Sequence, residues 1–204
     1  MAQDKREFKE LIIDNKPLEF CRRHLFDQDI YLFEKADALG IKGSYLELKV
    51  EISNTLGTSP DNVAIVGSGK FGFSMNPTKK ELLKCFNSHS DVDIVIACPK
   101  VFESIWKSLR QSYYSNHIDV RDKHSADIFS KFLVVNNKIE YRSKHMRDIV
   151  TLLEEMKKNI TRKFRIKRTI NYRIYSNWSD VEDYHEFGIN LLQNALSGPR
   201  GEKI

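Results

Sequence analysis

The chain has 204 residues, 41% hydrophobic and 30% charged, with 33 Lys and Arg against 28 Asp and Glu for a net charge of +5. This length suits a single folding unit with appended helices, and the composition excludes disordered, collagen-like and disulfide-scaffold classes. The modest positive charge is compatible with a nucleotide, a nucleic acid or an acidic partner and selects none of them.

Residues 1–57 are expected to form an N-terminal helical segment. Phe8, Leu11 and Ile12 keep helical spacing, and a later helix opens on Ser44 and Glu47 in capping-box spacing and stops at Gly57. From Asp61 the pattern becomes β-rich. The run Val63-Ala-Ile-Val66 breaks at Gly67-Ser-Gly-Lys-Phe-Gly72, and a second strand follows at Asp91-Val-Asp-Ile-Val-Ile-Ala97. Apolar spacing then predicts a helix from about Val101 to Tyr114 and a short strand at His117-Ile-Asp-Val120.

Phe132–Val135 and Ile139–Tyr141 read as a hairpin around Asn136-Asn137, and 144–158 as a helix. Residues 162–175 alternate, with Phe164, Ile166, Ile170, Tyr172 and Ile174 opposite Lys163, Arg165, Lys167 and Arg173; this predicts one long strand with a basic face. A last helix is expected from Ser179, with Glu182 completing a capping box, to Gly198-Pro199. The core thus covers 58–198, and 199–204 is a frayed tail.

The apolar runs fall far short of the ~18 residues of a membrane span, so membrane insertion is not expected. The first residues lack a signal-peptide core, and Cys21, Cys85 and Cys98 include no CxxC pair. A cytoplasmic location with reduced cysteines is the expectation.

The glycine loop admits three readings. A Walker A loop would need Gly at the position of Ala64 and Ser or Thr at that of Phe71. Gly67, Gly69 and Gly72 satisfy GxGxxG, yet Asn76-Pro77 stands where a dinucleotide-binding helix should run. The third reading joins the loop to Asp91 and Asp93, two apart and hence on one strand face, with Val92, Ile94 and Ile96 on the other. Two converging carboxylates repel unless a cation sits between them, and Mg²⁺ takes such oxygens together with substrate phosphates.

An apolar strand, Gly67-Ser68, a spacer and Asp91-Val-Asp93 on the next strand resemble the DNA polymerase beta-like nucleotidyltransferase superfamily. The resemblance implies an α/β fold, a mixed sheet with flanking helices, joined here to the N-terminal helical segment. It implies that Gly67 and Ser68 hold an NTP or dNTP, and that Asp91 and Asp93 hold two Mg²⁺ ions, for which Mn²⁺ can substitute. The third carboxylate of that family falls to Asp119 or, alternatively, Glu140. From the residues themselves, Lys70 is a candidate phosphate contact or a solvated loop lysine, and Lys163, Arg165, Lys167 and Arg173 are a candidate phosphate or oligonucleotide contact face or a solvated one.

The implied reaction moves a nucleoside monophosphate to a hydroxyl. Compactness resembles the bacterial anti-phage nucleotidyltransferases of the Hailong type, which implies an oligonucleotide product read by an effector protein. Tyr172, Tyr175 and Tyr184 are then the candidates for its single priming tyrosine. The alternatives are a toxin–antitoxin nucleotidyltransferase that modifies a partner protein and an inactive nucleic-acid-binding module.

Overall fold

The two apolar runs become neighbouring antiparallel strands, β1 (Val63–Val66) and β2 (Val92–Ala97), with Val66 opposite Asp93. The structure is a computed structural model that describes residues 4–117 and 119–203. A mixed four-stranded sheet in the order β1-β2-β4-β3 is completed by β3 (Phe132–Leu133) and β4 (Ile170–Tyr175). β4 runs parallel to β2, with Asn171 opposite Asp93, and antiparallel to β3.

The N-terminal region forms α1 (Lys5–Asp14), α2 (Pro17–Phe20), a π turn at Cys21–Leu25, α3 (Tyr31–Glu34), α4 (Ala36–Leu39) and α5 (Tyr45–Leu56). One helical turn, α6 (Ser68–Phe71), follows β1; α7 (Pro99–Tyr114) and α8 (Asp119–Phe129) follow β2, α9 (Lys144–Phe164) precedes β4, and α10 (Trp178–Leu196) follows it.

Alternation along each strand decides which helices cover which face. Val63, Ile65, Val92, Ile94, Ile96, Ile170 and Ile174 pack with α5, α7 and α9, whereas Ala64, Val66, Val95, Ala97 and Tyr175 pack with α1, α2 and α10. Each fully buried Ile or Leu in these layers contributes about 1.5–3 kcal/mol of transfer free energy. The N-terminal helices therefore cover both faces of the sheet. The edge strand β1 is tied to α5, because the Ile65 N–H donates to the Tyr45 hydroxyl at 3.2 Å.

The expected capping box of α5 is present: Ser44 accepts from the Glu47 N–H, Glu47 accepts from the Ser44 N–H, and Gly57 closes the helix at φ 68°. Several boundaries differ from expectation. The stretch around Asp119 opens α8 instead of a strand; the Asp119 side chain lies outside the described residues. Phe132–Leu133 pair with β4, and Ile139–Tyr141 form no strand, so the hairpin is absent. Tyr141 instead turns into the core, 5% exposed, where its hydroxyl meets buried His124 at 3.0 Å.

The basic strand is also corrected. The stripe Met146, Val150, Leu153, Met156, Ile160 and Phe164 carries α9 on to Phe164, where Arg165 ends it at φ 55°. Helical spacing over 21 residues outweighs a short alternation at its end. Lys163 thus lies on α9 and pairs with Glu51 at 2.6 Å, while Arg165 and Lys167 are exposed ahead of β4; only Arg173 is in a strand.

α10 is capped by Asn177, which accepts from the Asp180 N–H, and not by Ser179; Glu182 binds Arg22 through two 2.8 Å bonds. At the C-terminus, Gly201–Lys203 form a 3₁₀ turn where a frayed tail was expected, and the Gly201 carbonyl accepts from Lys9 at 2.8 Å.

Candidate functional site

Where β1 ends beside the start of β2, the sheet face shared with α10 opens into a cleft of about 670 Å³. Gly67, Ser68, Asp91 and Asp93 all line it, so the residues joined by sequence pattern are joined in space. Gly67 makes the approach possible. Its φ of 65° and ψ of −139° exclude side-chain-bearing residues, and a Cβ there would stand 3.4 Å from Asp93 Oδ2. Because α6 is a single turn and β2 is antiparallel to β1, the glycine loop does not open a βαβ crossover.

The long interval between Ser68 and Asp91 is an anchored excursion. An antiparallel bridge joins Phe73 to Cys85, with Ser74 N–H donating to Lys84 O at 2.8 Å and Phe86 N–H to Gly72 O at 2.7 Å. Leu82 and Leu83 pin its far end in the core, at 3% and 0% exposure, with Leu83 at φ 49°. Ser74 to Lys79 and Lys84 of the excursion line the cleft, as do Tyr184 to Leu191 of α10 apart from Glu186 and Asn190. A turn closed by Asn87 N–H to Ser90 Oγ at 3.0 Å then delivers Asp91 to the floor.

Asn171 was not among the expected site residues. Its amide Nδ2 donates to Asp91 Oδ2 at 3.3 Å and to Asp93 Oδ1 at 3.4 Å. The signal was available in the sequence, since Asn171 and Arg173 are polar positions two apart within Ile170-Asn-Tyr-Arg-Ile174. Of the two expected third acids, Asp119 has its side chain outside the described residues, and Glu140 does not join them: it is exposed and lines a separate cavity with His117, Lys123 and Arg142.

Lys70 does not reach the cleft. It is 3% exposed and binds the Asp27 carboxylate and the Asp29 carbonyl, which ties α6 to the N-terminal region. Of the four basic positions, Arg173 alone lines the cleft. Its guanidinium lies 5.4 Å from the Phe132 ring centroid and 5.7 Å from that of Tyr184, and it pairs with no carboxylate among the described residues.

Tyr172 donates its hydroxyl to the Val135 carbonyl and is buried, and Tyr175 is fully buried; Tyr184 alone of the three tyrosines lines the cleft. Its neighbour His185 was also unforeseen. Burial, helped by the charge of Arg173, pushes the imidazole down to about 3, and Nε2 is buried without a hydrogen-bond partner.

Among the described residues no group of three or more His, Cys, Asp and Glu is arranged to hold a metal ion. The oxygen donors at the floor are the two carboxylates, since Asn171 turns its Nδ2 toward them. Such hard oxygen donors suit a Mg²⁺ ion that completes its shell with substrate phosphates and water, and do not form a closed protein cage. No family model matches the chain, and no curated protein or solved structure matches it. No helix among the described residues is long and apolar enough to cross a membrane.

Proposed function

We propose that the cleft binds a nucleoside triphosphate with a divalent cation and transfers its nucleoside monophosphate to a hydroxyl, on a polymerase beta-like core. The observation that carries this reading is the meeting of Gly67-Ser68, Asp91 and Asp93 in one cleft that also holds the carboxylate-free Arg173. Asp91 and Asp93 hold the cation, Ser68 offers a hydroxyl to the phosphates, and Arg173 offsets their charge. The cation, when bound, neutralises charge on the transferring phosphoryl group.

In the reaction the acceptor oxygen forms a bond to the α-phosphorus as the α–β anhydride bond breaks. Pyrophosphate departs with the bonding pair, and the hydroxyl proton passes to solvent. The acceptor is a nucleotide 3′-hydroxyl, giving an oligonucleotide that an effector protein reads, with anti-phage defence as the setting. Modification of a partner protein is the competing acceptor. A second reading, nucleotide binding without turnover, is favoured by Asn171, which supplies an amide where a third charged ligand would strengthen the site.

The test incubates the purified chain with each labelled NTP and dNTP and Mg²⁺ or Mn²⁺, resolved on a denaturing gel beside an Asp91→Ala/Asp93→Ala control. A metal-dependent ladder, or label on protein, that the control lacks is the expected result. Nucleotide binding with no product moves the assignment to the second reading, and absence of both binding and product overturns the nucleotide assignment.

A further inference from the structure

The wall of the cleft formed by α10 carries a stripe that packing does not account for. Phe187 and Leu191, one turn apart on the same face, are 63% and 41% exposed. Tyr184, a turn earlier on the helix, is set edge-on to Phe132 with ring centroids 5.2 Å apart. Between them sits Gly188. A glycine in mid-helix weakens the helix relative to alanine, yet a Cβ here would meet nothing within 4 Å, so no neighbour requires its absence. Without a side chain, Gly188 presents backbone to this part of the cleft.

All four residues line the same cavity as Asp91 and Asp93. Arg173, two residues beyond Asn171 on the same face of β4, links the two ends: its guanidinium lies over Tyr184, and no carboxylate claims it among the described residues. The cleft thus has a polar end suited to phosphates and cations and an apolar, aromatic ledge. Its volume of about 670 Å³ lies within the range of small-molecule sites.

We propose that the α10 ledge of Phe187, Gly188 and Leu191 seats the nucleobase of the triphosphate whose phosphates lie against Arg173 and Ser68, an inference that rests on the nucleotide reading above. The ledge offers no side-chain hydrogen-bonding group at those three positions, so the base is held by its face. Stacking area then sets the preference, and the larger purine face binds more tightly than a pyrimidine.

The test uses calorimetric titration of the purified chain in Mg²⁺ with ATP, CTP and inorganic tripolyphosphate, which has the phosphates and no base. The wild type is expected to bind ATP about tenfold more tightly than tripolyphosphate, with CTP between them. Phe187→Ala and Gly188→Leu should each remove that margin and leave tripolyphosphate binding unchanged. Thermal melting separates loss of binding from loss of fold: Gly188→Leu, with a better helix former in open space, should melt no lower than the wild type.

Equal affinity of the wild type for ATP and tripolyphosphate, or an intact ATP margin in both variants, overturns the ledge and leaves the phosphate reading standing. Failure of the wild type to bind any of the three probes overturns both. A change in self-association in Phe187→Ala with the ATP margin intact would mark the stripe as a protein-docking face and also overturn the proposal.

Discussion

One amide of Asn171 bridges two carboxylates, with Nδ2 3.3 Å from Asp91 Oδ2 and 3.4 Å from Asp93 Oδ1. The parallel register of β2 and β4, which sets Asn171 directly opposite Asp93, produces the bridge. A neutral amide there satisfies one oxygen of each acid and limits their mutual repulsion. Asn171→Asp should therefore lower the melting temperature in chelator and raise the gain in melting temperature that Mg²⁺ or Mn²⁺ confers. Thermal melts with and without metal check this, and an equal metal-dependent gain in both proteins would contradict it.

Gly67 holds a conformation that other residues reach only under strain, and a Cβ there would stand 3.4 Å from Asp93 Oδ2. Gly67→Ala is expected to cost about 1–3 kcal/mol of stability, read as a lower urea midpoint. It should also weaken tripolyphosphate binding, because Ser68 follows directly in the displaced backbone.

The buried Lys70 ammonium depends on the Asp27 carboxylate and the Asp29 carbonyl. Removing the acid leaves an interior cation that keeps the Asp29 carbonyl and the face of the Phe71 ring, 5.5 Å from its centroid, but no counter-charge. Asp27→Ala should cost about 3 kcal/mol, measured by chemical denaturation. Lys70→Met/Asp27→Leu, which removes both charges, should cost less than Asp27→Ala alone.

His185 gives stability a pH dependence. The folded chain holds its imidazole down to about 3 from an ordinary 6.5, by burial and by the charge of Arg173. Rings of Phe26 and Tyr184 pack against it. Between those two pH values the unfolded chain binds the extra proton and the folded chain does not, so stability declines as pH falls below about 6.5. Urea midpoints measured from pH 7.5 down to 4.5 should show this slope, and His185→Phe should flatten it.

The ordinary rules of alternation and capping were enough to read β1, β2, the start and stop of α5, and the side of β2 on which Asp91 and Asp93 lie. Each of these depends on interactions within a few residues, such as the Ser44–Glu47 capping box, or on a period of two that the chain itself displays. The pairing of Gly67-Ser68 with the two aspartates was legible for the same reason, since consecutive strands of a sheet are commonly neighbours.

That Asn171 meets the aspartates was decided by tertiary structure. Asn171 is 80 residues from Asp91 in the chain, and only the choice of β4 as the parallel neighbour of β2 brings them together. The same choice left Glu140 at another cavity, and the stripe from Met146 to Phe164 turned an apparent basic strand into the end of a helix. The ledge on α10 was equally hidden, because Phe187 and Leu191 have the spacing of core residues and only the absence of a covering element leaves them exposed. Local sequence determines which face a side chain takes on its own element; which element lies opposite is decided by the cooperative packing of the whole sheet and its two helical layers.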